Sequence, residues 1–191
     1  MRKIYYTSFP TAIGRIYLAA TEKGICRVAW EYKSEKGFIK TLLPPYPPLS
    51  PLEGERIKPA LECFYQGVRG AAIIKDDGKF TAIKDSMIKY FSGKPVSFKC
   101  AMDFEGTDFQ KRVWQVLSNI PYGNILTYKE VAQRIGRPKA ARAVGSACGA
   151  NNLPIIIPCH RVVASDGSLG GFSGGIRLKK HLLEIEGIRL K

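Results

Sequence analysis

The 191 residues carry 30 Lys and Arg against 16 Asp and Glu, a formal charge of +14, and 45% of them are hydrophobic. That apolar share excludes a disordered chain and suffices for one good core or two small domains. The charge favours polyanions, with nucleic acid expected ahead of an acidic membrane surface, and no apolar run approaches the roughly 18 residues of a spanning helix.

The amino terminus, MRKIYYTSFPTAIG, has no apolar core of a signal peptide, so an intracellular, cytoplasmic location is expected. Cys26, Cys63, Cys100, Cys148 and Cys159 are scattered and lack CxxC spacing, which writes in neither a disulfide framework nor a zinc knuckle. With only His160 and His181 available, no metal site is expected, and no cofactor either.

The first third reads as strands. KIYYTSF, GRIYLAAT and GICRVAWEY are β-rich, and Gly14 and Gly24 fall where turns would join them into an antiparallel meander. LLPPYPPLSP then places five prolines between Pro44 and Pro51, which forbids strand pairing and marks an exposed connection. A helical stretch near LECFYQ and a strand near GAAIIK follow. In FTAIKDSMIKYFSG, Ile83, Met87, Ile88 and Phe91 recur at helical spacing, and Gly93 and Pro95 end the helix.

A boundary between Gly93 and Gly106 divides the chain into two parts of similar size. Residues 1–98 are expected to form an α/β domain with an antiparallel sheet, and residues 99–191 a mainly helical domain with a helix-turn-helix. In the second half, Thr107 is placed to cap a helix whose apolar stripe is Phe109, Val113, Val116 and Leu117. TYKEVAQRIG follows the PYGNI turn, with Thr127 and Glu130 at capping-box spacing, Val131 and Ile135 inward, and Gly136 as the stop.

RPKAARAVGSACGANN opens at Pro138, suited to a first helical turn, and completes the helix-turn-helix. A helix that reads major-groove base edges needs Arg, Asn and Gln along one face. This one is nearly bare apart from Lys139 and Arg142. A bare helix can approach DNA closely with one probing residue, and tight helix packing by small residues explains the same segment equally well.

The stretch TYKEVAQRIGRPKAARAVGSACGANNLPIIIPCHRVVASDGSLGGFSGG resembles the O6-alkylguanine-DNA alkyltransferases, single-use repair proteins that move an alkyl group from damaged guanine onto their own cysteine. The strong likeness runs from about Phe109 to Leu190, and TAIGRIYLAATEKGICRVAW fits the family's first strands more weakly. PCHRVV, KAARAVG and a distal EG carry it. The resemblance implies Cys159 as nucleophile, His160 as its base through a water, and Glu186 behind the imidazole, a relay of the kind that activates nucleophiles. By spacing alone, Glu184 is an alternative.

The resemblance also implies that Asn151 ties the active-site segment to the helix-turn-helix. It makes Tyr128 the residue against the flipped nucleotide's backbone and a proton donor to the leaving guanine. Arg142 becomes the finger that fills the gap in the duplex, with Lys139 and Ala143 beside it at the DNA surface. Pro154, Gly170 and Ser173 match pocket residues. Phe172 stands where relatives commonly have tyrosine: stacking survives and a phenolic hydroxyl is gone. Some relatives hold a structural zinc whose ligands this sequence lacks.

The chemistry asks for what IIIPCHRVV offers. Attack on an alkyl carbon bonded to oxygen needs a thiolate, and a thiol with a pKa of about 8.5 is mostly protonated at neutral pH. The segment is expected to be a buried strand that presents Cys159 at a pocket floor. Neighbours along a strand point to opposite faces, so Cys159 and His160 can cooperate only through a turn or a bridging water between Pro158 and Arg161.

The expected partner is duplex DNA containing alkylated guanine, or thymine alkylated at O4, flipped from the stack because its oxygen is unreachable within it. The expected state is a monomer. Two other readings stay open: an alkyltransferase-like lesion sensor, disfavoured because such relatives replace the cysteine, and a basic transcription factor, disfavoured by the bare recognition helix.

Overall fold

The computed structural model describes residues 2–30, 35–40, 42 and 71–190. The expected proline-rich connection, the LECFYQ helix and Cys63 lie outside these residues. Strands β1 (Arg2–Thr11), β2 (Gly14–Ala20) and β3 (Ile25–Trp30) form the expected antiparallel meander. Gly14 and Gly24 take positive φ at its turns, and a Cβ at Gly24 would collide with the Ala101 carbonyl. Helix α1 (Glu35–Lys40) follows, and β4 (Ala71–Lys75) joins β1 in parallel, giving the order β3-β2-β1-β4. The sheet is therefore mixed.

Strand alternation gives each face its own apolar set. Ile4, Tyr6, Tyr17, Ala19 and Ala29 pack with Phe38 of α1 on one side. Phe9, Ile16, Leu18 and Val28 face the rest of the molecule on the other. After a 3-10 turn at Gly78–Phe80, helix α2 (Thr81–Phe91) packs onto that second face. Its buried stripe is Ile83, Met87 and Tyr90, not the expected Ile83, Met87, Ile88 and Phe91, and Ile88 is 48% exposed. A tyrosine completes the i, i+4, i+7 face because its hydroxyl finds a buried partner.

Residues 94–107 contain no helix and bridge to the sheet where Ile25 N donates to the Ala101 carbonyl at 2.9 Å and Asp103 N donates to the Ile25 carbonyl at 2.8 Å. Helix α3 (Asp108–Ser118) opens with a full capping box between Thr107 and Gln110. It buries Val113, Trp114 and Leu117, with Phe109 and Val116 at the margin. The stripe missed Trp114, whose Nε1 donates to the Ala147 carbonyl at 2.8 Å.

Short β5 (Leu126–Thr127) leads into α4 (Tyr128–Arg134), capped by Thr127 and Glu130 as their spacing requires. Helix α5 (Ala141–Gly149) begins three residues later than Pro138 suggests, because Pro138 and Lys139 form the turn between the helices. Val144, Ala147 and Cys148 are its buried face, while Arg142, Ala143 and Ser146 are exposed.

The expected strand at IIIPCHRVV is absent. Leu153–Ile157 fold into a tight bend with Ile155 at φ 75°, Cys159–Arg161 form a 3-10 turn, and only β6 (Val162–Val163) pairs, in parallel with β5. Three consecutive isoleucines are buried all round, which suits a packed bend as well as a strand. Helix α6 (Ile176–Ile185) closes the fold, and Gly187 at φ 77° ends it immediately after Glu186.

Candidate active site

Cys159, His160 and Arg161 are all buried, on a single 3-10 turn. The turn replaces the strand alternation that would set Cys159 and His160 on opposite faces, but no hydrogen bond joins Sγ to the imidazole. Asn151, just beyond the end of α5, holds it from the other side: its Nδ2 donates to the Ile157 carbonyl at 2.8 Å and lies 3.1 Å from Cys159 Sγ, and its Oδ1 accepts from Leu153 N at 2.9 Å. Burial pushes the Cys159 thiol up, and the Asn151 hydrogen bond and nearby Lys179 offset this only in part. The thiol is protonated at rest, so thiolate formation needs a base.

His160 is fully buried, and its Nε2 is 2.8 Å from Glu186 Oε1. Burial is the main reason its pKa falls, so the imidazole is neutral. Glu186 lies at the carboxy-terminal end of α6, fixed by the turn at Gly187. Burial pushes its carboxyl up, but bonds from His160 and Arg161 outweigh this and hold it at about 2. Arg161 Nε and Nη2 donate to Oε1 at 3.1 and 3.0 Å, Nε also reaches Oε2 at 2.9 Å, and Gly123 N donates to Oε2 at 3.0 Å.

An ionised carboxylate only accepts. The shared proton therefore sits on His160 Nε2, which leaves the lone pair on Nδ1, the one buried side-chain nitrogen or oxygen without a hydrogen-bond partner among the described residues. Nδ1 is the nitrogen able to take a proton. Glu184, the alternative by spacing, is exposed and 4.0 Å from Lys180.

Above this cluster lies a cavity of about 630 Å³ lined by Tyr128, Arg142, Gly145, Cys148, Phe172 and Ser173 among others. Cys159, 2% exposed, is not part of this lining, but it lies near enough to the lining residues Tyr128 and Cys148 that, after burial, its charge raises the pKa of both. Arg142 is exposed at the rim on α5, while Lys139 and Ala143 are exposed outside it. Gly170 belongs to the wall indirectly: a Cβ there would stand 2.8 Å from the Tyr128 ring. Pro154 is buried and lines a neighbouring groove of about 300 Å³ with Asn151 and Ser173. Phe172 stacks on Trp30 at 6.3 Å with 9° between the rings. Burial pushes the Tyr128 hydroxyl up to about 12, so it stays a donor, and it donates to the Gly171 carbonyl at 3.2 Å.

Sequence reasoning missed four residues here. Arg161 neutralises Glu186, and Lys179 Nζ donates to the Val162 and Leu169 carbonyls, both at 2.5 Å, fastening the loop that carries Gly170 to Ser173. Burial pulls Lys179 down to about 8. Its signal was present, since it shares the apolar stripe of α6 with Leu182 and Leu183. Tyr90 and Cys148 are the others. Among the described residues, no three His, Cys, Asp or Glu side chains are gathered as a metal ion would require.

A mixed sheet joined to a helix-turn-helix, with a buried Cys-His-Glu array under an open cavity, defines a class of DNA-directed cysteine transferases. The chain belongs to the 6-O-methylguanine DNA methyltransferase family: residues 4–104 match its ribonuclease-like domain and residues 108–188 its DNA-binding domain. It is 38% identical to a methylated-DNA--protein-cysteine methyltransferase of Methanosarcina acetivorans over 184 residues, 96% of this chain and 99% of that one. The inducible methylated-DNA--protein-cysteine methyltransferase of Bacillus subtilis is 39% identical over 136 residues, 70% of this chain and 76% of that one. Among solved structures, Mycobacterium tuberculosis OGT in complex with DNA superposes with a TM-score of 0.71 at 34% identity, covering 95% of this chain and 92% of that one.

Proposed function

We propose that this protein repairs DNA by transferring the alkyl group of O6-alkylguanine irreversibly to Cys159. The observation that carries the reading is the fixed tautomer of His160, which leaves an unpartnered basic nitrogen on the residue that adjoins a protonated, buried thiol in the chain. The thiol proton passes to His160 Nδ1 through one water, while Glu186 holds the opposite side of the ring and Arg161 holds Glu186. Sγ attacks the alkyl carbon, the carbon–oxygen bond breaks with its electron pair left on the base, and the guanine departs after taking up one proton. Tyr128, a donor at the cavity wall, supplies that proton and is replenished from His160. The products are a thioether and ordinary guanine.

The base reaches the cavity by leaving the stack. Arg142 at the rim is placed to occupy its position in the duplex, with Lys139 and Ala143 on the flanking surface. Pro154, Gly170, Phe172 and Ser173 shape the pocket, Phe172 by stacking alone. The +14 charge holds phosphates without reading sequence, as a protein scanning every guanine requires.

Incubation with a duplex carrying one O6-methylguanine tests the whole reading. One added methyl on the peptide containing Cys159, formed once per protein molecule, is the expected result. Binding without methylation would instead indicate a lesion sensor.

A further inference from the structure

Tyr90 lies in α2, in the amino-terminal half, and its side chain is completely buried. Its ring meets Tyr122 edge-on at 6.0 Å and His160 at 6.3 Å. Its hydroxyl donates to Glu186 Oε1 at 2.8 Å and lies 3.2 Å from His160 Nε2. With the 2.8 Å contact between Nε2 and Oε1, the three atoms close a triangle. Burial and the adjacent Glu186 charge push the phenol far above its usual range, so it remains a donor throughout the accessible pH range.

The geometry points to Tyr90 as a positioning residue for alkyl transfer, holding the Glu186–His160 pair from the amino-terminal half. Its proton occupies one lone-pair direction of Oε1, and its own oxygen is placed to share the Nε2 proton. That oxygen also faces Nε2 when His160 becomes an imidazolium. Arg161 binds both oxygens of the same carboxylate, and its Nη1 donates to the Ile120 carbonyl at 2.5 Å, so it fixes the turn within the carboxy-terminal half. Tyr90 reaches the pair from α2 and fixes it against the amino-terminal half. The charged and titratable groups facing its hydroxyl are Glu186, His160, Arg161 and Tyr122. Tyr90 is not among the residues that line the cavity, so it acts through His160.

The inference rests on the proposed transfer to Cys159, and the test separates the two. Wild-type protein must first be methylated at Cys159 by duplex substrate; failure there removes the function itself. Tyr90→Phe keeps the ring and deletes one hydroxyl. Its rate with a free O6-alkylguanine base should fall roughly ten- to a hundredfold at neutral pH, the weight of one hydrogen bond to a charged group. The deficit should close as pH rises through the thiol's own ionisation, where no base is needed.

In a His160→Ala background, Tyr90→Phe should add no further loss, because residues acting as one unit are not additive. Duplex binding by each variant reports that it is folded. A loss equal at every pH, a loss that multiplies with that of His160→Ala, or an unchanged rate would each overturn the role and leave Tyr90 as packing.

Discussion

Beneath the cavity, Cys159, His160, Arg161, Lys179 and Glu186 are all buried, and each has a partner at hydrogen-bond distance. Around its mouth, Arg142, Lys139, Ala143 and Ser173 are exposed, and the α5 side of the wall carries the small residues Ala141, Gly145 and Gly149. Proton transfer depends on donor geometry at the scale of tenths of an ångström, so the lower region is fixed by charge and hydrogen bonds. Groove approach depends on the absence of side chains, so the upper region is fixed by what it omits. A substitution below should therefore change chemistry at constant binding, and one above should change access at constant chemistry.

The sharpest division comes from Cys159→Ala. Transfer should vanish while binding to alkylated duplex persists, as a gel-shift assay beside mass spectrometry would show; retained methylation would move the nucleophile elsewhere. Next in size is His160→Ala, which should slow transfer by roughly 10² to 10⁴, the usual worth of a general base, with recovery at high pH. A wild-type rate would make His160 structural.

In the upper region, Arg142→Ala should slow reaction with duplex by an amount on the order of a few kcal/mol, the energy of unstacking and unpairing a base. Reaction with the free base should stay near wild type at the same salt concentration. Equal slowing on both substrates would place Arg142 in the lower region's machinery.

Glu186→Gln should slow transfer less than His160→Ala does, but its acid profile is distinctive. The folded protein holds Glu186 at about 2, against about 4.3 for a free carboxyl. The ionised group therefore stabilises the fold fully above the free value, and that stability is lost progressively as pH falls through this window towards 2. Urea denaturation across it should show a shallower pH dependence in Glu186→Gln than in wild type. Identical slopes would mean that the carboxylate is not depressed.

The same division governs what could be read from the sequence. Local signals were legible at several places where one turn of chain decides the outcome: Thr107 as a cap, Thr127 with Glu130, and Gly136 after α4. The Cys159 turn was not, because consecutive isoleucines look alike whether they line a strand or a buried bend. Nothing nearby in the chain announces the positive φ of Ile155. Arg161 sits beside the nucleophile in plain view, yet its partner is 25 residues away, and Tyr90 meets Glu186 across 96 residues. Family likeness supplied Glu186 and Asn151 because it carries tertiary information that spacing lacks. It was silent on Tyr90 and Lys179, whose contacts appear only once helices α2 and α6 are packed.

The core that joins the halves bears on how the molecule melts. Phe9, Ile16 and Val28 of the sheet share one apolar cluster with Trp114, Val144, Ile157 and Leu182, and Val28 N donates to the Asn152 carbonyl at 2.9 Å. The two family models part this chain between residues 104 and 108, but heat has no such seam to open. A scanning calorimeter should record one cooperative endotherm in which the sheet and the helix-turn-helix are lost together.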